Sequence, residues 1–229
     1  MEYFNDDELN IEELIQQRTQ KISEYITSEN YIPLKRRELM VMLDVPASDR
    51  EMFDYIIDSL VRQGKAIETK KGKIMAPEKL NIITGTFISH AKGFGFVVTD
   101  NENEKDIFIP ADSTNGALHK DKVMCKITVM PSNTKRAEGE IIKIIERGSE
   151  SIVGVFEECK GFGFVTPDNQ KFAKDIFIQK DNTKGAVTGQ KVVVKITKYP
   201  RNRRNPEGVV TEILGHIDDP GVDILSIIK

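Results

Sequence analysis

One long stretch of this sequence occurs twice. Gly85 opens GTFISHAKGFGFVVTDNENEKDIFIPADSTNGALHKDKVMCKI, and Gly154 opens GVFEECKGFGFVTPDNQKFAKDIFIQKDNTKGAVTGQKVVVKI. The offset is 69 from Gly85 to Gly154, 68 from Gly93 to Gly161, and 69 again for Asp106 to Asp175, Gly116 to Gly185 and Glu138 to Glu207. One-residue gaps on either side of KGFGFV account for the shifts. A match held over that length means tandem domains, and a unit of this size can fold alone. Each copy reads as five short strands. In the first they are expected near Ile83–Ile88, Phe94–Thr99, Asp106–Ile109, Lys122–Val129 and Gly139–Glu146. In the second they fall near Ile152–Phe156, Phe162–Thr166, Asp175–Ile178, Lys191–Thr197 and Gly208–Leu214. Glycine, asparagine and aspartate fill the gaps, as turns require. Five strands in so short a span suit a small closed barrel of the OB type, which leaves few sheet edges exposed.

Alternate residues of a strand share a face. In Lys92-Gly93-Phe94-Gly95-Phe96-Val97, Phe94 and Phe96 therefore point one way, and Gly95 and Val97 the other. The neighbouring DIFI strand sets Phe108 between Ile107 and Ile109, so Phe108 joins the same aromatic face. Phe162, Phe164 and Phe177 repeat the set. The alternative is that these rings are core and the opposite face is solvated. The isoleucines and Val97 already fill the inward positions, which opposes it. Outward rings can stack on bases with little sequence preference. Glycine between them leaves nothing to obstruct a flat ligand, and Lys92, Lys160 and Lys180 stand near for phosphates.

KGFGFV followed by DIFI resembles the paired RNA-contact strands of cold-shock domains. That family carries a tryptophan on the first strand, and this chain contains no tryptophan; Phe87 and Phe156 are the nearest substitutes. The histidine that follows the DxFV strand in the family is Pro110 in one copy and Gln179 in the other.

Residues 1–81 have a different texture. Ile11, Leu14, Ile15, Ile22, Tyr25 and Ile26 recur at helical spacing. Ile32-Pro33-Leu34 breaks the pattern, Lys35–Leu43 reads as a second helix, and a third starts at Ala47 or Ser48 and reaches Gln63. The third helix is expected to bury Met52, Tyr55, Ile56 and Leu60, with Gly64 as a left-handed cap. KAIETKKGKIMAP then forms a hairpin. Three helices and a basic hairpin describe a winged helix. Lys70, Lys71 and Lys73 at its tip are candidate phosphate contacts, and Lys35, Arg36 and Arg37 a second set. The competing reading is a solvated wing on a domain that packs against protein.

Charge is uneven. The chain carries −3 overall, with −4 in residues 1–81, −1 in 82–150, +4 in 151–215 and −2 in 216–229. Phosphate binding follows local charge, so a mildly acidic whole does not exclude a basic face. The positive excess includes Lys198, Arg201, Arg203 and Arg204, and it favours the second copy as the stronger binder. Cys125 and Cys159 form no CxxC pair, which argues against disulfides or a zinc site and for a reducing cytoplasm. Cys125 aligns with Val194, a core position. His90, His119 and His216 are scattered, and the GFG triplets lack the context of a phosphate loop. No secretory signal or membrane span is legible.

The order of winged helix (1–81), first barrel (82–149), second barrel (150–215) and linker (216–229) is similar to the N-terminal region of the ribonuclease R family of 3′–5′ exoribonucleases. The fold class expected is α+β and multidomain. The resemblance implies that the chain captures RNA for a catalytic domain, which would hydrolyse it with magnesium bound by an aspartate cluster. Asp218, Asp219 and Asp223 do not make that cluster. The chain is therefore expected to be part of a longer protein or a truncated product, with no catalytic residue, metal site or cofactor of its own. It is expected to be a monomer that binds RNA and does not cut it. The ribosome and other RNA-processing proteins are further expected partners. A stand-alone regulator of transcription or translation is the alternative.

Overall fold

The computed structural model describes residues 6–99, 105–132, 135–200 and 204–222, with side chains described from residue 11 onward. The chain divides into two compact units, residues 1–83 and 84–229.

In the first unit, α1 spans Asp6–Thr27, α2 Arg36–Met42 and α3 Arg50–Arg62. Strands β1 (Leu34–Lys35), β2 (Ile67–Glu68) and β3 (Lys73–Met75) pair in the order β1-β3-β2. Helix, strand, two helices and a hairpin is the order of a winged helix. The core joins Ile22 and Ile26 of α1, Leu39 of α2, Phe53, Ile56, Ile57 and Leu60 of α3, and Ile74 of β3. Three details depart from the sequence-based expectation. Tyr55 is exposed and Met52 half-buried, while Phe53 and Ile57 take the core positions, so the apolar stripe of α3 is rotated by one residue. Ile11 and Leu14 are exposed, so only the C-terminal half of α1 is anchored in this core. The Ile32-Pro33-Leu34 break leads into β1, a strand the pattern did not suggest because it is two residues long. Gly64 has φ of 72° and ends α3 with a left-handed cap, where a side chain would be strained.

The second unit holds two closed five-stranded barrels, so the α+β architecture expected from the sequence is the one formed. The first barrel is built from β4 (Ile82–Ser89), β5 (Gly95–Thr99), β6 (Ile107–Ile109), β7 (Lys122–Val129) and β8 (Glu138–Glu146), in the order β4-β5-β6-β8-β7. The second uses β9 (Ser151–Cys159), β10 (Phe162–Pro167), β11 (Ile176–Gln179), β12 (Gln190–Lys198) and β13 (Glu207–His216), with the same connectivity. In both, the third and fifth strands run parallel, pairing Phe108 with Glu138 and Phe177 with Glu207. Inward residues match copy for copy: Phe87, Val97, Ile107, Ile109 and Cys125 answer to Phe156, Val165, Ile176, Ile178 and Val194, all at most 1% exposed. Truncating either buried phenylalanine to alanine would cost about 3–5 kcal/mol. Burial pushes the Cys125 thiol up to about 12, consistent with a core role for this side chain.

The barrels are joined by a polar clamp. Asp121, 1% exposed, accepts hydrogen bonds from the Leu118 and Gly148 amides and pairs with Arg147 Nη1 at 2.7 Å. The Arg147 guanidinium lies 3.4 Å from the centroid of the Tyr199 ring of the second barrel. A buried carboxylate is stable only when its oxygens are satisfied, and this one has three donors. Among the described residues no helix is long and apolar enough to cross a membrane.

Candidate nucleic-acid interface

The pleat of β5 and β6 produces the first aromatic face. Gly95 pairs with Ile109, Phe96 with Phe108 and Val97 with Ile107, so glycine, valine and isoleucines turn inward while the phenylalanines turn out. Phe94, Phe96 and Phe108 are half-buried, with ring centroids 6.0, 5.6 and 5.7 Å apart. Phe162, Phe164 and Phe177 repeat the arrangement at 5.6, 5.6 and 5.8 Å. These separations are those of aromatic pairs that hold one another in place.

The two faces have different surroundings. In the first barrel the His90 ring lies parallel to Phe94, with centroids 4.4 Å apart and an interplanar angle of 9°. The turn that places it closes through the Gly93 amide donating to the His90 carbonyl, with Gly93 at φ 90°. Arg136 stands over Phe96 at 6.0 Å, and Ile88 pairs with Phe96 across β4 and β5. In the second barrel Glu157 takes the place of Ile88 opposite Phe164, and Gln179 pairs with Phe162. By the repeat offset, Asn205 replaces Arg136, and the shorter hairpin has no counterpart to His90.

Several sequence-based assignments are corrected. Phe87 and Phe156, the candidate substitutes for a first-strand tryptophan, are core residues at 1% and 0% exposure. The glycines between the rings, Gly95 and Gly163, do not serve to clear the ligand face. They point inward, where a Cβ on Gly163 would come within 2.5 Å of the Phe156 ring; Gly95 makes the same accommodation for Phe87. His90 lies in the turn after β4 and its ring extends the first aromatic face; nothing in the linear spacing reveals a ring stack formed across a turn.

Lys92, Lys160 and Lys180 are exposed at the barrel ends, and Lys92 also lines a cleft between the barrels. Lys70, Lys71 and Lys73 are exposed on the wing, around Gly72 at φ 72°. Arg36 is not free for phosphate: it bonds Asp58 at 2.6 Å and Glu68 at 2.8 Å, with Asp54 at 3.4 Å. Lys35 and Arg37 are exposed. Arg204 is exposed and its carbonyl accepts a hydrogen bond from Lys174; Arg201 and Arg203 lie outside the described residues. Asp219 accepts the His216 amide at 2.7 Å, and Asp218 lies 3.3 Å from His216 Nδ1, so both serve the turn after β13; Asp223 lies outside the described residues. Among the described residues no group of three or more His, Cys, Asp or Glu side chains is placed to hold a metal ion.

Comparison with known proteins agrees with the duplicated geometry. The Ribonuclease B OB domain matches residues 85–144, and the Cold shock domain matches residues 164–229. Ribonuclease R of Thermotoga maritima is 33% identical over 214 residues, covering 92% of this chain and 29% of that protein. The chain thus spans less than a third of this relative's length. Among solved structures, Mycoplasma genitalium RNase R in complex with ribose methylated single-stranded RNA superposes with a TM-score of 0.56 at 20% identity, over 64% of this chain and 23% of that one. Yeast Ssd1, a pseudonuclease, gives the same TM-score at 17% identity, over 80% of this chain and 26% of that one. At these identities the structures establish the fold. The sequence match along nearly the whole chain, together with the two barrel types, places the chain in the ribonuclease R family, over the region that carries its OB and cold-shock barrels.

Proposed function

We propose that this chain is an RNA-capture region: it binds single-stranded or locally opened RNA across two three-phenylalanine faces and delivers it to a 3′–5′ exoribonuclease domain of the ribonuclease R type. The observation that carries the reading is the duplicated cluster of outward, mutually braced phenylalanines on two barrels with matching cores. The barrel cores are filled without these six outer rings, whereas stacking on bases is worth ~1–3 kcal/mol per base. Lys92, Lys160, Lys180 and the wing lysines supply phosphate contacts, and these contacts make binding salt-dependent. Arg36, neutralised by Asp54, Asp58 and Glu68 beside α3, disfavours the reading in which the winged helix inserts α3 into DNA. The complex of the Mycoplasma genitalium protein with single-stranded RNA supports the same ligand class. In this reading these residues hold RNA and do not cut it.

Fluorescence anisotropy with a labelled single-stranded RNA tests the proposal. The intact chain binds, more weakly as salt rises. Phe94→Ala, Phe96→Ala, Phe162→Ala and Phe164→Ala together abolish binding while circular dichroism stays unchanged. A preference for duplex DNA over RNA would favour the regulator reading, and shortening of 3′-labelled RNA in magnesium by the purified chain would refute capture without cutting.

A further inference from the structure

The cleft between the two barrels is distinct from both aromatic faces. It encloses about 820 Å³ and is lined on one side by Lys92 and the loop reaching His119, and on the other by Lys171, Phe172 and Lys174. That volume is well beyond what a single anion fills and lies in the range of small-molecule sites. Lys92, Lys171 and Lys174 face Asp112 as the cleft's lone carboxylate among its described lining residues, so the local field is positive. His119 is 4% exposed, and its Nδ1 is a buried ring nitrogen with no hydrogen-bond partner. Such a nitrogen costs free energy unless something reaches it. Burial, followed by the charges of Lys171 and Lys120, holds the His119 pKa below its ordinary value. The ring is therefore neutral near pH 7, able to bond a hydroxyl or a base edge but not to act as a further cation. The Phe172 ring meets His119 edge-on at 6.2 Å and gives the cleft an apolar wall. The Asp121–Arg147–Tyr199 clamp and the bond from Ser89 Oγ to the Lys171 carbonyl fix the two walls relative to each other.

We infer that this inter-barrel cleft is a second ligand site that takes one nucleotide unit, with its phosphate at Lys92, Lys171 and Lys174 and its sugar or base reaching His119 beside Phe172. The cleft adjoins the first aromatic face through Lys92, two residues before Phe94, so an RNA strand leaving that face has a direct path into it. The site does not need the aromatic faces to bind.

The test uses the full chain and adenosine 5′-monophosphate, read by the histidine ring signals in a proton–carbon NMR titration, with inorganic phosphate as the second probe. The nucleotide is expected to shift the His119 signal saturably, and phosphate to leave it nearly unmoved. Lys171→Ala with Lys174→Ala, both on exposed residues, should raise the dissociation constant read at His119 at least fivefold. Lys126→Ala, at an exposed lysine outside the cleft lining, should change it less than twofold. An unmoved His119 overturns the inference, as does a His119 shift that phosphate alone reproduces or that survives the lysine substitutions. Because the readout is His119 and not RNA affinity, it stands or falls apart from RNA capture by the aromatic faces.

Discussion

Opposite the central phenylalanine of its aromatic face, the first barrel carries Ile88 and the second carries Glu157. The first face also has a histidine stacked on Phe94 and an arginine over Phe96, and among the described residues the second shows neither. Beneath these faces the inward positions of the motif strands match copy for copy, down to a glycine that yields its Cβ space to a buried ring. The fold thus constrains the inward half of the repeat and leaves the outward half to vary. Summed charge points to the second barrel, at +4 against −1. Local geometry points to the first, because a carboxylate beside a stacking ring repels the phosphate that accompanies each base.

Substitutions on the two faces can erase this contrast or enlarge it. Phe94→Ala with Phe96→Ala should weaken single-stranded RNA binding by roughly 100-fold, since two lost stacks at ~1.5 kcal/mol each total about 3 kcal/mol. Phe162→Ala with Phe164→Ala should weaken it by about tenfold, the acidic neighbour having already reduced what those rings contribute. Equal losses measured by anisotropy would remove the asymmetry, and a reversed order would show that summed charge outweighs local geometry. Glu157→Ile, which gives the second face the neighbour of the first, should tighten binding by about threefold, an effect of the size of one exposed charge interaction. His90→Ala should loosen it by about threefold, and the loss should be largest in RNAs long enough to cover the whole first face.

The shared core makes the opposite prediction, of sameness. Gly95→Ala and Gly163→Ala should each lower stability by about 1–3 kcal/mol, because the new methyl overpacks Phe87 or Phe156; urea denaturation checks this. The cysteines should differ with their places: a thiol reagent at pH 8 should label half-buried Cys159 and leave Cys125, 0% exposed and pushed up to about 12, until the chain unfolds.

Much of this was legible before the fold was seen, and the reason is periodicity. Two-residue alternation in GFGFV and DIFI assigns each phenylalanine a side, and the repeat supplies an independent copy of the same alternation. The register pairs Phe96 with Phe108 and Phe164 with Phe177 accordingly. What escaped the sequence depends on contacts across turns or between barrels. His90 reaches Phe94 only because a glycine turn folds it back. Arg147 meets Asp121 and Tyr199 across separations that no pattern marks. The glycine of the motif reads equally well as clearance for a ligand or as space for a core ring, and only the position of Phe87 and Phe156 decides. In α3 the apolar residues Met52, Phe53, Tyr55, Ile56, Ile57 and Leu60 cover more than one face, so spacing alone could not choose the buried stripe.

RNA capture by the outward rings rests on one comparison: the affinity of the intact chain for a labelled single-stranded RNA, set beside that of the chain with Phe94, Phe96, Phe162 and Phe164 all changed to alanine. Salt-sensitive binding by the first and almost none by the second, at unchanged secondary structure, is the expected result. Failure of the intact chain to bind at low salt, or undiminished binding without the four rings, would contradict it.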